Sequence, residues 1–317
     1  MTRPVVISCD PGVDDAVALA LAFASPELDV LAVAATAGNV SVETSSANAA
    51  ALLDLFGAPA ELAVHSGASG PLRGERVPDE PVHGAGGLGG VRLPPSSRRI
   101  EHDAVEHLAR TILGRPGEVT LVALGPLTDV ARLFAEYPRT VAALDRLVIM
   151  GGAVFAQGNV TLAAEFNFFA DPEAAAAVLR AARPVELVPL DVTREAVIDR
   201  AAATALAELP SATGTIGRML VGMCDAMAAR GRPDVAVMHD ALAIAAVFDP
   251  GLIEWADAAA TVELDGTLTR GAVVADVRGV SGRAANVRYG AAVASGRFTQ
   301  LLVERVTALR RPSVPPF

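Results

Sequence analysis

No lysine occurs in this 317-residue chain, so all 26 of its basic side chains are arginine. That absence removes chemistries built on an ammonium group: Schiff-base formation, Ser-Lys nucleophiles, the P-loop and the kinase lysine. Cysteine is almost as scarce. Cys9 and Cys224 are too few for a disulfide framework and lack zinc-site spacing, which fits a reducing compartment, and a cytoplasmic location is expected. Long apolar runs are missing as well. The most hydrophobic stretches, Ala16–Ala24 and Ala241–Phe248, fall well short of the roughly 18 residues a membrane span needs. Asp10, Asp14 and Asp15 arrive before an apolar core can form, so Met1–Asp15 does not read as a secretory signal. Positive charge is outweighed: 36 acidic against 26 basic residues leave a net charge of −10, which argues against a broad grip on phosphate backbones. Neither nucleic acid nor membrane is an expected partner.

What is present is a hydrophobic fraction of 52%, enough for a large buried interior. Short β-branched runs, Val5–Ser8, Val30–Thr36, Val119–Leu124, Leu147–Met150 and Val185–Pro189, read as strands buried on both faces. Helical patterns at Asp14–Phe23, Val42–Leu55, Leu127–Phe134 and Pro172–Leu179 alternate with them. This order predicts an α/β fold with an open, mainly parallel sheet flanked by helices, and residues 1–317 are read as a single domain. Further helices are expected at Thr213–Ala229, Asp240–Val247 and Gln300–Arg310, with short strands near Ala260–Leu264 and Ala272–Val277. Gly67–Ser97, rich in glycine and proline, is a candidate lid.

The most informative stretch is Ser8-Cys9-Asp10-Pro11-Gly12-Val13-Asp14-Asp15, between the first strand and the first helix. Three carboxylates within six residues have two explanations. One is helix capping, because acids in and before a first turn complement the macrodipole and satisfy orphan amides. The other starts from position: ligands of open α/β sheets bind at strand carboxyl ends, where Asp10 lies. A Pro-Gly turn returning Asp10 and Asp15 toward one point would need protonation or a cation, and oxygen ligands select a hard ion, Ca²⁺ or Mg²⁺.

Asp10-Pro11-Gly12-Val13-Asp14-Asp15-Ala16 resembles the N-terminal signature of the inosine-uridine-preferring nucleoside hydrolases, which cut the N-glycosidic bond of ribonucleosides. The resemblance extends along nearly the whole chain through Gly38-Asn39, His83-Gly84, Leu124-Gly125-Pro126-Leu127-Thr128 and Met150-Gly151-Gly152. Gly158-Asn159, Ala164-Glu165-Phe166-Asn167, Asp171-Pro172-Glu173-Ala174 and Met238-His239-Asp240 complete the ordered set. It implies one Ca²⁺ per chain held by Asp10, Asp15, Asp240 and the Leu124 carbonyl, with Asp10 as general base on a Ca-bound water. It implies sugar contacts from Asp14, Asn39, Asn159, Glu165 and Asn167, and assembly as a homodimer or homotetramer. His239 is either the group that protonates or polarises the leaving base or a residue that orients its loop. His83 occupies a loop position that in the family can approach the base. His65, His102 and His107 belong to no constellation apparent in the sequence.

Three departures bear on that implication. Family members usually carry threonine at Leu124, which a carbonyl ligand tolerates, and many carry aspartate at Ser8, which brings no charge here. Arg230–Val235 lacks the tyrosine some members use against the base; the only tyrosines are Tyr137 and Tyr289. Base preference is open, and Ser8 is the hint for an alternative, a metal-dependent nucleoside or sugar binder with impaired turnover. Other readings fail. Gly84-Ala85-Gly86-Gly87-Leu88-Gly89 satisfies G-x-G-x-x-G but is bracketed by Pro78-Asp79-Glu80-Pro81 and Pro94-Pro95-Ser96-Ser97 rather than by strand and helix. A dehalogenase-type phosphotransferase would need an aspartate at Gly12 and a lysine. Cys9 has no evident histidine partner and reads as a buried core residue.

Overall fold

A computed structural model describes residues 2–77, 82–181 and 185–309. In chain order the first half comprises β1 (Arg3–Cys9), α1 (Val13–Ala24), β2 (Leu28–Ala35), α2 (Val42–Leu55), β3 (Val64–Ser66), β4 (Ile100–Glu101), α3 (Ala104–Gly114), β5 (Thr120–Ala123), α4 (Thr128–Glu136), α5 (Arg139–Ala143) and β6 (Arg146–Met150). There follow α6 (Phe166–Ala170), α7 (Pro172–Ala181), β7 (Val185–Val188), α8 (Leu190–Thr193), β8 (Val197–Asp199), α9 (Arg200–Ala207) and α10 (Ser211–Ala228). The chain then runs through β9 (Val235–Val237), α11 (His239–Phe248), β10 (Ile253–Val262), β11 (Val273–Asp276), β12 (Val287–Val293) and α12 (Ser295–Thr307).

Ten strands form one sheet in the order β11-β10-β12-β7-β6-β5-β1-β2-β3-β4. Its strands from β12 to β4 pair in parallel, and β10 joins β12 and β11 antiparallel at one edge. Alternation explains why the central strands read as continuous apolar runs. On β1, Val5, Ile7 and Cys9 point into the core beneath α1 and α11, while Val6 points into the core beneath α3, α4 and α7. Both faces are covered, so no position in Val5–Cys9 is left for a solvent-facing residue. The same burial explains α1, whose residues Val13–Ala22 are all buried: it packs against the sheet beside α11 and is covered by α10 and α12 rather than lying at the surface.

The C-terminal region departs from expectation in extent. β10 is ten residues long, starting at Ile253 rather than near Ala260, and β12 was not anticipated because Arg288 and Gly290 interrupt its apolar pattern. The last helix begins five residues before Gln300, and Arg310 lies outside the described residues. Gly67–Ser97 carries no helix or strand among its described residues; Pro78–Pro81 lie outside them. Gly84, Gly86, Gly87 and Gly89 all have positive φ, so the pattern that mimics a dinucleotide fingerprint serves tight turns. Among the described residues no helix is long and apolar enough to cross a membrane.

Candidate active site

Crevices in open α/β sheets form beyond the strands' carboxyl ends, where the strand order reverses. Here β1 lies between β5 and β2, and successive connections run outward from it in opposite directions. The turn after β1 and the turn after β5 therefore meet in one crevice. The first carries Asp10, Asp14 and Asp15; the second carries Leu124 and Gly125.

Asp15 folds back over the start of α1: Oδ2 accepts the Gly12 amide at 2.9 Å and Oδ1 the Asp10 amide at 3.2 Å. A carboxylate that accepts the N-cap amide in this way is worth on the order of 1 kcal/mol to the helix, so the capping explanation describes Asp15. It does not describe Asp14, whose Oδ1 is buried without a hydrogen-bond partner. Asp240, in the first turn of α11, brings a third buried carboxylate. One oxygen from each of Asp14, Asp15 and Asp240 lies within 4.8 Å of the others. Burial pushes Asp14 up to about 6 against hydrogen bonds that favour its charge, and burial with the Asp14 charge pushes Asp15 up to about 6. Burial and the neighbouring aspartates hold Asp240 well above the carboxylate range. Three acids this close either retain protons or share a cation. An all-oxygen donor set with an orphaned oxygen fits a hard divalent ion. The sequence-based set had Asp10 where this trio has Asp14.

Asp10 is fixed differently. Its Oδ2 accepts the Asn39 amide at 2.6 Å. A β-carbon placed on Gly38 would come within 2.0 Å of Oδ2, and one on Gly125 within 2.4 Å of Oδ1. The two motif glycines thus clasp one carboxylate between two stretches of backbone. Asn39 Nδ2 also donates to the Asp10 carbonyl and to Asp15 Oδ2, both at 3.3 Å. The Leu124 carbonyl accepts from Asn167 Nδ2 at 2.6 Å, which links the ends of β5 and α6. Ser8 is buried within β1, two residues from the turn.

His83 Nδ1 accepts the Val13 amide at 3.1 Å and stands 3.8 Å from Asp14 Oδ1, so the long loop rests on the acidic turn. Glu165 caps α6, accepting the amides of Asn167, Phe168 and Gly152 at 2.9, 3.2 and 2.9 Å. Burial still outweighs those amides and pushes Glu165 up to about 7. Asn159 Oδ1 accepts the Phe166 amide at 2.9 Å. His239 Nδ1 pairs with Thr193 Oγ1 at 2.7 Å, and burial above all, with the Arg194 charge nearby, drives it down to about 3, leaving a neutral imidazole.

A cavity of about 420 Å³ opens above these groups, a size typical of small-molecule sites. Asp14, Asn39, His83, Leu124, Asn159, Glu165, Asn167, His239 and Asp240 line it, whereas Asp10 and Asp15 are buried in the turn that carries Asp14. Sequence reasoning missed the opposite wall: Met223 and Met227 from α10, Val235 and Val237 from β9, and Arg232. Only the four-residue spacing of the two methionines on a helix signalled that they share a face. Arg194 was also missed; its Nη2 donates to the carbonyls of Gln157 and Gly158 at 2.8 and 2.9 Å, pinning the loop that carries Asn159.

Residues 5–300 match the sequence profile of the inosine-uridine preferring nucleoside hydrolases. The pyrimidine-specific ribonucleoside hydrolase RihA of Salmonella gallinarum is 37% identical, over 96% of this chain and 99% of that protein. The non-specific ribonucleoside hydrolase RihC of Escherichia fergusonii is also 37% identical, over 96% and 98%. The structure of a purine-preferring ribonucleoside hydrolase from Gardnerella vaginalis superposes with a TM-score of 0.91 at 28% identity, covering 97% of this chain and 99% of that one. A profile match over nearly the whole length, together with full-length relatives and the same fold, places this chain in the inosine-uridine preferring nucleoside hydrolase family, as an enzyme of the nucleoside hydrolase type.

Proposed function

We propose that the protein hydrolyses ribonucleosides to free base and ribose at this cavity, as one domain with one Ca²⁺ per chain. The observation that supports the reading most directly is the buried trio Asp14, Asp15 and Asp240, with an unpartnered Asp14 oxygen beside the cavity. Asp15 and Asp240, joined by Asp10 and the Leu124 carbonyl, would hold the ion. A bound Ca²⁺ supplies the charge that lets these acids stay ionised together and polarises the oxygens it meets.

The chain's own groups divide the remaining work. Asp10, clasped by Gly38 and Gly125, is the general base that takes a proton from the attacking water. The water oxygen bonds to the anomeric carbon as the ribose–base bond breaks, through a sugar with oxocarbenium character. Asp14, Asn39, Asn159, Glu165 and Asn167 hold the ribose hydroxyls, and the carboxylates stabilise the developing positive charge. The base lies against the Met223, Met227 and Val237 wall. There His239, neutral and oriented by Thr193, polarises it by hydrogen bonding as it leaves, with His83 approaching from the loop. Base preference stays with the cavity's opposite wall. A homodimer or homotetramer in the cytoplasm, with a part in nucleoside salvage, completes the reading.

Incubating the purified protein with a panel of purine and pyrimidine ribonucleosides, and measuring free ribose and base, tests this directly. Release of both from at least one nucleoside is expected. Calorimetric binding without product would sink the reading and leave a nucleoside-binding protein.

A further inference from the structure

Along the chain His65, His102 and His107 belong to no constellation, but the fold assembles one around two of them. His65, on β3, is 4% exposed, and its Nδ1 lies 2.6 Å from Asp103 Oδ1. Asp103 holds the N-cap position of α3, yet its carboxylate caps no amide of that helix. It is turned toward His65 instead. One turn further along α3, on the same helical face, His107 stacks its ring on His65 with centroids 3.5 Å apart and planes 19° from parallel. One ligand atom from each of the three lies within 4.8 Å of the others. None of the three lines the nucleoside cavity.

We propose that His65, Asp103 and His107 form a second metal site, separate from the acidic trio, for a borderline divalent transition ion such as Zn²⁺. Two imidazole nitrogens and one carboxylate oxygen are the donors such ions prefer, whereas Ca²⁺ favours oxygen alone, so the two sites select different metals. Imidazoles stacked face to face resist double protonation. Burial above all holds His107 below the usual histidine range, which keeps a lone pair available near neutral pH.

Arg110 is the competitor for this position. Its Nη2 stands 3.3 Å from His107 Nδ1 and 3.4 Å from Asp103 Oδ2. With its side chain 61% exposed, it has open solvent to swing into when a metal ion enters. Metal binding would join β3 to the first turn of α3 and stabilise the folded chain by mass action.

The test uses the full chain, stripped with chelator and then held in excess Ca²⁺ so that the oxygen site is filled. Titration with Zn²⁺ by calorimetry, and with Co²⁺ by visible absorption, is run on the wild type, His107→Ala and Arg110→Ala. The wild type is expected to bind a single equivalent of either ion per chain, and the Co²⁺ spectrum to report nitrogen ligation. His107→Ala should weaken binding by more than the roughly 10–100-fold that loss of an outer-shell partner costs, and Arg110→Ala should tighten it. Both variants should keep wild-type nucleoside hydrolysis, which shows that they are folded and separates this proposal from the functional reading above. No binding by the folded wild type in excess Ca²⁺, or equal binding by His107→Ala, overturns the proposal. So does loss of binding in Arg110→Ala, which would make the arginine part of the site rather than its rival.

Discussion

Asn39 donates its backbone amide to Asp10 Oδ2 at 2.6 Å, and its side chain spans from the Asp10 carbonyl to Asp15 Oδ2. The end of β2 therefore sets the direction of an acid at the end of β1. Gly38 and Gly125 enforce the same direction sterically, since a methyl group at either would overlap an Asp10 oxygen.

Asp10→Asn should lower kcat by about 10²–10⁴-fold while leaving the fold intact, because the amide cannot take up the water proton. Gly38→Ala and Gly125→Ala should reproduce much of that loss by displacing a carboxylate that is still present. Steady-state kinetics with circular dichroism decide the matter. Wild-type turnover in Asp10→Asn removes Asp10 as base, and wild-type turnover in both glycine variants shows that the clasp does not position it.

Prolonged chelation should abolish hydrolysis, and Ca²⁺ should restore it, because Asp14, Asp15 and Asp240 resist shared ionisation without a cation. Asp240→Asn should raise the Ca²⁺ concentration needed for half-maximal activity. Full turnover in protein shown by elemental analysis to be metal-free would end the calcium reading.

The parallel sheet and its first helices were legible because strands buried on both faces read as unbroken apolar runs, as in Val5–Cys9. The motif residues were legible as a set, since turns at strand ends keep their order along the chain. What stayed hidden came from long-range packing. α3 carries a readable helical period at Val105, Leu108, Ala109 and Ile112, but nothing local places His107 against His65 on another element. The cavity's apolar wall was equally silent, because Met223 and Val237 look like ordinary core residues until α10 and β9 are folded over the strand ends. Asp14 was read as a sugar contact; its nearness to Asp240 depends on α11 packing against α1.

His239→Ala should slow hydrolysis of natural nucleosides by about 10²-fold or more, the scale of a lost acid–base or polarising group. A riboside whose leaving group departs as a stable anion should be far less affected, since it needs no help from the imidazole. Thr193→Val should give a smaller loss of the same kind by freeing the ring's Nδ1. Equal slowing of both substrate types would assign His239 to loop geometry instead.

Glu165 offers a test that does not depend on turnover. Burial raises it from 4.5 to about 7, so between those values the folded state binds a proton that the unfolded state has released. Stability therefore falls as pH rises through that window and levels off above it, by on the order of 3 kcal/mol for this group. The three backbone amides that Glu165 accepts oppose the rise, and burial prevails. Glu165→Gln has no such titration. Whatever constant offset the amide introduces, the stability gap between wild type and variant should shift in the variant's favour from about pH 5 to about pH 8. Urea midpoints of chelator-treated protein across that range measure the shift. Asp14 and Asp15 titrate in both proteins, so they cancel to first order in the difference, and a gap independent of pH would mean that the amides, not burial, set the charge of Glu165.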